Sequence, residues 1–215
     1  MLTLTYSIYQ YDVEHQLKEK QENVPSLSFT KQMLDFIYGK NSLVELTSTD
    51  ITNASRSLTY SQGTANLKLS HVGLDSHMVN VSDGFRASDE VGIVVGTGNT
   101  AVTPIDFKLV TQVAHGTGSG QLEHYGCWTT NYQVNSGTQS CTFDIERIFR
   151  NGSGGNITLN EMGIYYVMGQ FGHSSSTLWS FCIVRDVLGT ASGTTTVTVN
   201  DGEYLKIKYT FKIIV

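Results

Sequence analysis

Charge is scarce in this chain: only 15% of its 215 residues are Asp, Glu, Lys or Arg, with a net charge of -5 and a pI near 5.6. A broad phosphate-binding surface needs clustered Lys and Arg, so nucleic acid is not an expected partner. Proline occurs 2 times against 21 glycines, which suits short strands joined by tight turns and argues against global disorder. The cysteines, Cys127, Cys141 and Cys182, are odd in number and lack C-x-x-C spacing, so they signal neither a disulfide framework nor a zinc site and are read as reduced. No apolar run is long enough to cross a bilayer, and no membrane partner is expected. The start, Met1 to Tyr9, lacks the basic residues and continuous apolar stretch of a secretion signal. Synthesis in a cytoplasm is the expectation, and the sequons at Asn53, Asn80, Asn151 and Asn156 are then chance matches.

What the chain does have is alternation. Thr142 to Tyr166 reads as two period-2 strands around the glycine-rich loop Asn151 to Asn156, the pattern of a β-hairpin. Phe143, Ile145, Arg147 and Phe149 share one face of the first strand, and Ile157, Leu159, Glu161 and Gly163 one face of the second. Arg147 and Glu161 therefore fall on apolar stripes, opposite or diagonal across the expected pairing. Their structural reading is an ion pair that pins the register, because unpaired charges are rarely buried. A catalytic acid with an electrostatic helper is the other reading, and it needs a cleft with a second acid or nucleophile.

Residues 1–42 read as an N-terminal arm and residues 43–215 as a β-sandwich body. Leu2 to Tyr11 alternates as a strand, Asp12 to Glu22 carries a mixed charge run that suits a solvated connector, and Ser28 is placed to cap a helix ended by Gly39. On that helix Phe29, Met33, Phe36 and Ile37 form one apolar face, free to cap the body or to grip a neighbouring subunit. Short strands are expected over Leu43–Thr47, Ser57–Tyr60, Ala65–Leu69, Met78–Val81 and Val91–Val95. Thr103, Pro104 and Asp106 form a capping-box signal for a second short helix with Ile105, Leu109 and Val113 on its buried side. A run of strands follows, over Gln121–Trp128, Tyr132–Val134, Cys141–Arg150, Ile157–Met168, Leu178–Asp186, Thr194–Val199 and Glu203–Val215. The last two join at the tight turn Asn200-Asp201-Gly202. The expected fold is mainly β, an antiparallel jelly-roll-like sandwich with one or two short helices. Lys206, Lys208 and Lys212 alternate with apolar residues on the final strand and read as the guarded outer face of a sheet edge.

Motifs of known chemistry are weak. Gly96-Thr-Gly-Asn-Thr-Ala101 follows an apolar run, as in a dinucleotide-binding turn, but Pro104 comes too soon and the downstream strands read antiparallel. Ser119 and Ser153 sit in glycine runs without the G-x-S-x-G frame. Among His15, His71, His77, His115, His124 and His173 there is no H-E-x-x-H or H-x-H spacing, although His115 and His124 flank one glycine loop. Adjacent or alternating carboxylates, Asp89 with Glu90 and Asp144 with Glu146, read as solvated faces rather than a glycosidase pair. No metal, cofactor or catalytic residue is assigned.

Several segments resemble a family of virion structural proteins of tailed bacteriophages. They are Glu22 to Gln32, Gly92 to Pro104, Ala114 to Leu122, the Arg147, Phe149, Asn151, Ser153, Gly154 pattern running on to Ile157, Glu161 and Gly163, and Arg185-Asp186. The resemblance implies a non-enzymatic β-protein of the particle, at capsid, neck or tail, that forms homo-oligomers and contacts other virion proteins. The alternative is a carbohydrate- or receptor-binding module, for which Trp128 and Trp179 are the stacking candidates, though both fall in expected strands where core packing is the plainer reading.

Overall fold

The computed structural model describes residues 2–26, 28–41, 46–57, 88–171, 176–189 and 195–214. The strands expected over Ala65–Leu69 and Met78–Val81, most of those over Leu43–Thr47 and Ser57–Tyr60, and His71, His77 and His173 lie outside the described residues.

The fold is mainly β, with antiparallel sheets. The largest sheet holds β1 (Leu2–Tyr11), β2 (Leu17–Ser26), β6 (Glu123–Asn135), β7 (Ser140–Arg150) and β12 (Tyr204–Ile214), in the order β2-β1-β12-β7-β6. A second sheet orders β10 (Ser176–Val187), β9 (Glu161–Phe171) and β5 (Gly92–Gly96). Two small pairs join β11 (Val197–Val199) to β8 (Ile157–Leu159), and β3 (Thr47–Thr49) to β4 (Ser55–Ser57). Alternation supplies the core: Leu4, Tyr6 and Ile8 of β1, Leu205, Ile207 and Tyr209 of β12, and Ile145 and Phe149 of β7 point to one face. They meet Ile93 and Val95 of β5 and Met162 and Ile164 of β9 in one buried cluster.

Both hairpins expected around Asn151–Asn156 and Asn200–Gly202 are instead corners between sheets. β7 already has β12 on one side and β6 on the other along its length, so the returning chain finds no free partner there and pairs as β8 with β11. Asn151, fully buried, locks the two corners together. Its side-chain amide donates to the carbonyls of Gly155 at 2.7 Å and Val199 at 2.8 Å, while its backbone exchanges hydrogen bonds with Glu203 and Gly202.

The first forty residues are not a separate arm. β1 pairs residue by residue with β12 from Leu2 to Tyr11, and the charge run after it is an edge strand, β2, on the far side of β1. The chain then crosses to the second sheet, where Phe29 bridges Val184 and the backbones of Ser28 and Thr30 bond to Arg185 and Ile183. Helix α1 therefore begins later than expected, at Lys31, and runs through Gly39 to Asn41. Phe29 lies before it; Met33 and Phe36 pack on the core, with the Phe36 ring edge-on to Phe181 at 5.2 Å, and Ile37 is 49% exposed.

The second helix does not form. Only half of the capping box forms: the Thr103 amide and hydroxyl both donate to the Asp106 carboxylate, and the Asp106 amide goes to the Thr103 carbonyl. No helix follows: Val113 bonds to Val95, Gly96 bridges Gln112, and Ile105 is exposed while Leu109 and Val113 are buried. β12 is likewise not an edge. Its Lys206 reaches Glu146 at 2.7 Å and its Lys208 reaches Asp144 at 3.8 Å across to β7, so these lysines belong to a paired outer face of a central strand.

Candidate functional site

Among the described residues, a dense polar cluster lies where residues 96–111 cross the second sheet. Glu161, fully buried at the start of β9, accepts four hydrogen bonds: Oε1 from the amides of Gly98 at 3.2 Å and Thr111 at 2.7 Å, Oε2 from the amide of Val110 at 3.1 Å and from Arg185 Nε at 2.9 Å. Arg185, on β10 and equally buried, donates Nη1 to Asp106 at 2.7 Å and Nη2 to the Thr100 carbonyl at 2.8 Å. Burial alone would raise the Asp106 carboxyl, but the bonds from Thr103 and Arg185 outweigh it and hold its pKa below the ordinary value.

This geometry accounts for the Gly96–Ala101 motif without a nucleotide. A Cβ on Gly96 would come within 2.7 Å of Glu161 Oε1, and one on Gly98 within 2.5 Å, so the glycines let the loop close over the carboxylate.

The expected Arg147–Glu161 ion pair is not formed. Both side chains are buried, but Arg147 lies on β7 in the large sheet and points to carbonyls: Nε to Tyr125, Nη1 to Val91 and Ile93, each at 2.8 Å, and Nη2 to Ser88. Burial lowers its pKa to about 10. The partner that Glu161 takes instead, Arg185, carried its own signal: Arg185-Asp186 is a charged pair inside the apolar run Phe181 to Val187. Asp186 bridges the two sheets, accepting from Ser26 of β2 at 2.9 Å and Tyr209 of β12 at 2.9 Å, with burial raising its pKa.

His115 and His124 come together, their ring centroids 5.7 Å apart, but His115 Nδ1 accepts the His124 backbone amide at 3.0 Å. Among the described residues no three His, Cys, Asp or Glu side chains are grouped to hold a metal ion. Burial, reinforced by the charge of Arg147, pushes the His124 imidazole from 6.5 down to about 2. Between these values the unfolded chain binds a proton that the folded one does not, so His124 makes stability fall as pH drops below about 6.5. From pH 7 to pH 5 this one group should remove about 2 kcal/mol, and that increment should vanish in His124→Phe, measured by urea unfolding at both pH values.

Every strong charge in this region is thus turned inward onto backbone or an opposite charge. Neither Glu161 nor Arg185 reaches solvent, so neither can meet a substrate without local opening. Compared with family models, curated proteins and solved structures, the chain matches none.

Proposed function

We propose that the protein is a non-enzymatic structural component of a bacteriophage particle, at capsid, neck or tail, working through contacts with copies of itself and with other virion proteins. The observation that supports the non-catalytic part is the internal satisfaction of the Glu161–Arg185–Asp106 cluster, in which the buried Glu161 carboxylate spends both oxygens on amides and on Arg185. The particle assignment rests on the sequence resemblance. A jelly-roll-type sandwich is the body we assign to it, supported by the corners at Asn151 and Asn200 that pass the chain between sheets. Phe29, Met33 and Phe36 serve the capping role in this reading, since they pack on the body's own core. Electron microscopy of the purified chain and of native particles tests it: rings or a repeated lattice are expected, and a solitary monomer in the mature particle would contradict it.

One observation favours the carbohydrate- or receptor-binding alternative. Trp128 is not a core residue but 40% exposed on the outer face of β6, lying over Gly126, where an added Cβ would come within 2.9 Å of the indole. Trp179, by contrast, is half-buried with the Arg56 guanidinium 5.0 Å from its ring centre. If sugar stacking is the activity, Trp128→Ala should weaken glycan-array binding at least about fivefold, since aromatic contacts of this kind are worth about 1 kcal/mol or more. Absence of any glycan signal from the wild-type chain would eliminate it.

A further inference from the structure

The two margins of the five-stranded sheet differ in chemistry. On one side β2 presents Lys18, Glu19, Lys20, Glu22 and Pro25, residue types that discourage pairing with another chain. On the other, β6 and the tip it forms with β7 contain no Asp, Glu, Lys, Arg, His or Pro from Tyr125 to Phe143. Asn131 to Asn135 are all exposed, and no strand lies beyond them in the sheet among the described residues. The register irregularities of β6 fall before Gln133; from there Gln133, Val134 and Asn135 pair regularly with Thr142, Cys141 and Ser140.

Next to this margin the core face of the sheet runs on past the core. Leu2, Ile213, Cys141 and Val134 are cross-strand neighbours in a single row over β1, β12, β7 and β6. The row is apolar, yet Leu2 is 47%, Ile213 52% and Val134 69% exposed, and Tyr132 beside it is 72% exposed. One step inward on the same face, Phe143 and Phe211 stack at 4.8 Å and the packing is that of an interior. Solvated apolar residues continuous with a core, beside a sheet margin without charge, are the ingredients of a protein interface.

We infer that this corner docks a second copy of the chain, the β6 margins of the two copies pairing antiparallel about a two-fold axis and bringing the two apolar rows side by side. An uncharged margin offers a charged partner no complement. A second copy brings the same uncharged margin and opposes no like charges. An antiparallel strand pair about a two-fold is also self-complementary, each donor of one strand meeting the equivalent acceptor of the other. The inference rests on the assembly reading above and names the surface and the partner.

Sedimentation velocity of the full chain over a range of concentrations, with hydrogen exchange at Gln133–Asn135, tests it. The wild type should form dimers or higher even-numbered species, with exchange at these amides slowed on association. Val134→Glu should raise the dissociation constant at least about tenfold without lowering the melting temperature, because the side chain stands in solvent in the single chain. Tyr132→Asp, read the same way, covers the case in which the first variant does not fold, and Glu19→Lys on the guarded margin should assemble as wild type. Association that ignores both β6 substitutions would overturn this interface and leave the assembly reading standing. A wild-type chain monomeric at every concentration would overturn both.

Discussion

Replacing Glu161 with Ala should be among the most destabilising single changes in the protein, costing about 3–5 kcal/mol in chemical unfolding. The reason is what stays behind. Arg185 remains fully buried, with Asp106 and the Thr100 carbonyl as its remaining acceptors among the described residues, and the amides of Gly98, Val110 and Thr111 lose their partner at once. Each buried donor left unpaired costs about 1–3 kcal/mol on its own account, so water entering the hole can offset only part of the loss. Glu161→Gln should recover some stability by keeping one acceptor oxygen, while Arg185→Met together with Glu161→Gln should be less damaging than the sum of the two single changes. An Ala variant that unfolds at the wild-type denaturant midpoint would contradict the assignment.

Arg147→Ala should come close behind, at about 3 kcal/mol or more, but through a different failure. Among the described residues Arg147 bonds to no carboxylate; it is held by the carbonyls of Ser88, Val91, Ile93 and Tyr125, and it thereby fastens the entry to β5 onto the large sheet. Loss of the side chain leaves those carbonyls to find other donors and opens the contact between β5 and β7. The local signature is increased hydrogen exchange and protease cleavage around Ser88 to Ile93, ahead of any global unfolding. Arg147→Lys should rescue only partly, because one ammonium cannot reproduce the planar fork that serves four carbonyls from three nitrogens. Unchanged exchange in that segment would count against the role.

The difference between these two arginines shows where sequence reasoning succeeds and where it stops. A period-2 pattern fixes which face a residue occupies, so the burial of both Arg147 and Glu161 was legible from Phe143 to Phe149 and from Ile157 to Gly163. It does not fix which strand lies alongside, and adjacency in sequence suggested a hairpin where β12 and β6 already flank β7. Pairing such as Leu2 with Ile213 joins the two ends of the chain, and nothing local encodes it. Thr103 and Asp106 are bonded as their spacing implied, but only the amide of Thr103 makes a capping-box bond; Asp106 also takes Arg185, and no helix follows because Val113 bonds to Val95, so a local start signal was overridden by tertiary contacts. In the same way the charges of Asp12 to Glu22 correctly marked solvent exposure, but not that the exposed segment is a sheet margin. The glycines of Gly96–Ala101 read only as a weak imitation of a dinucleotide-binding turn; the fold shows that they make room for Glu161.

The charges most suggestive of chemistry in this chain, Glu161, Arg185 and Arg147, are bound up in holding its fold. A pair of double-mutant cycles tests this directly, one on Glu161 with Arg185 and one on Glu161 with Arg147, each read by urea unfolding. A coupling of about 2 kcal/mol or more is expected between Glu161 and Arg185, which are in contact, and close to zero between Glu161 and Arg147, which share no bond. Strong coupling of Glu161 to Arg147, or none to Arg185, would contradict it.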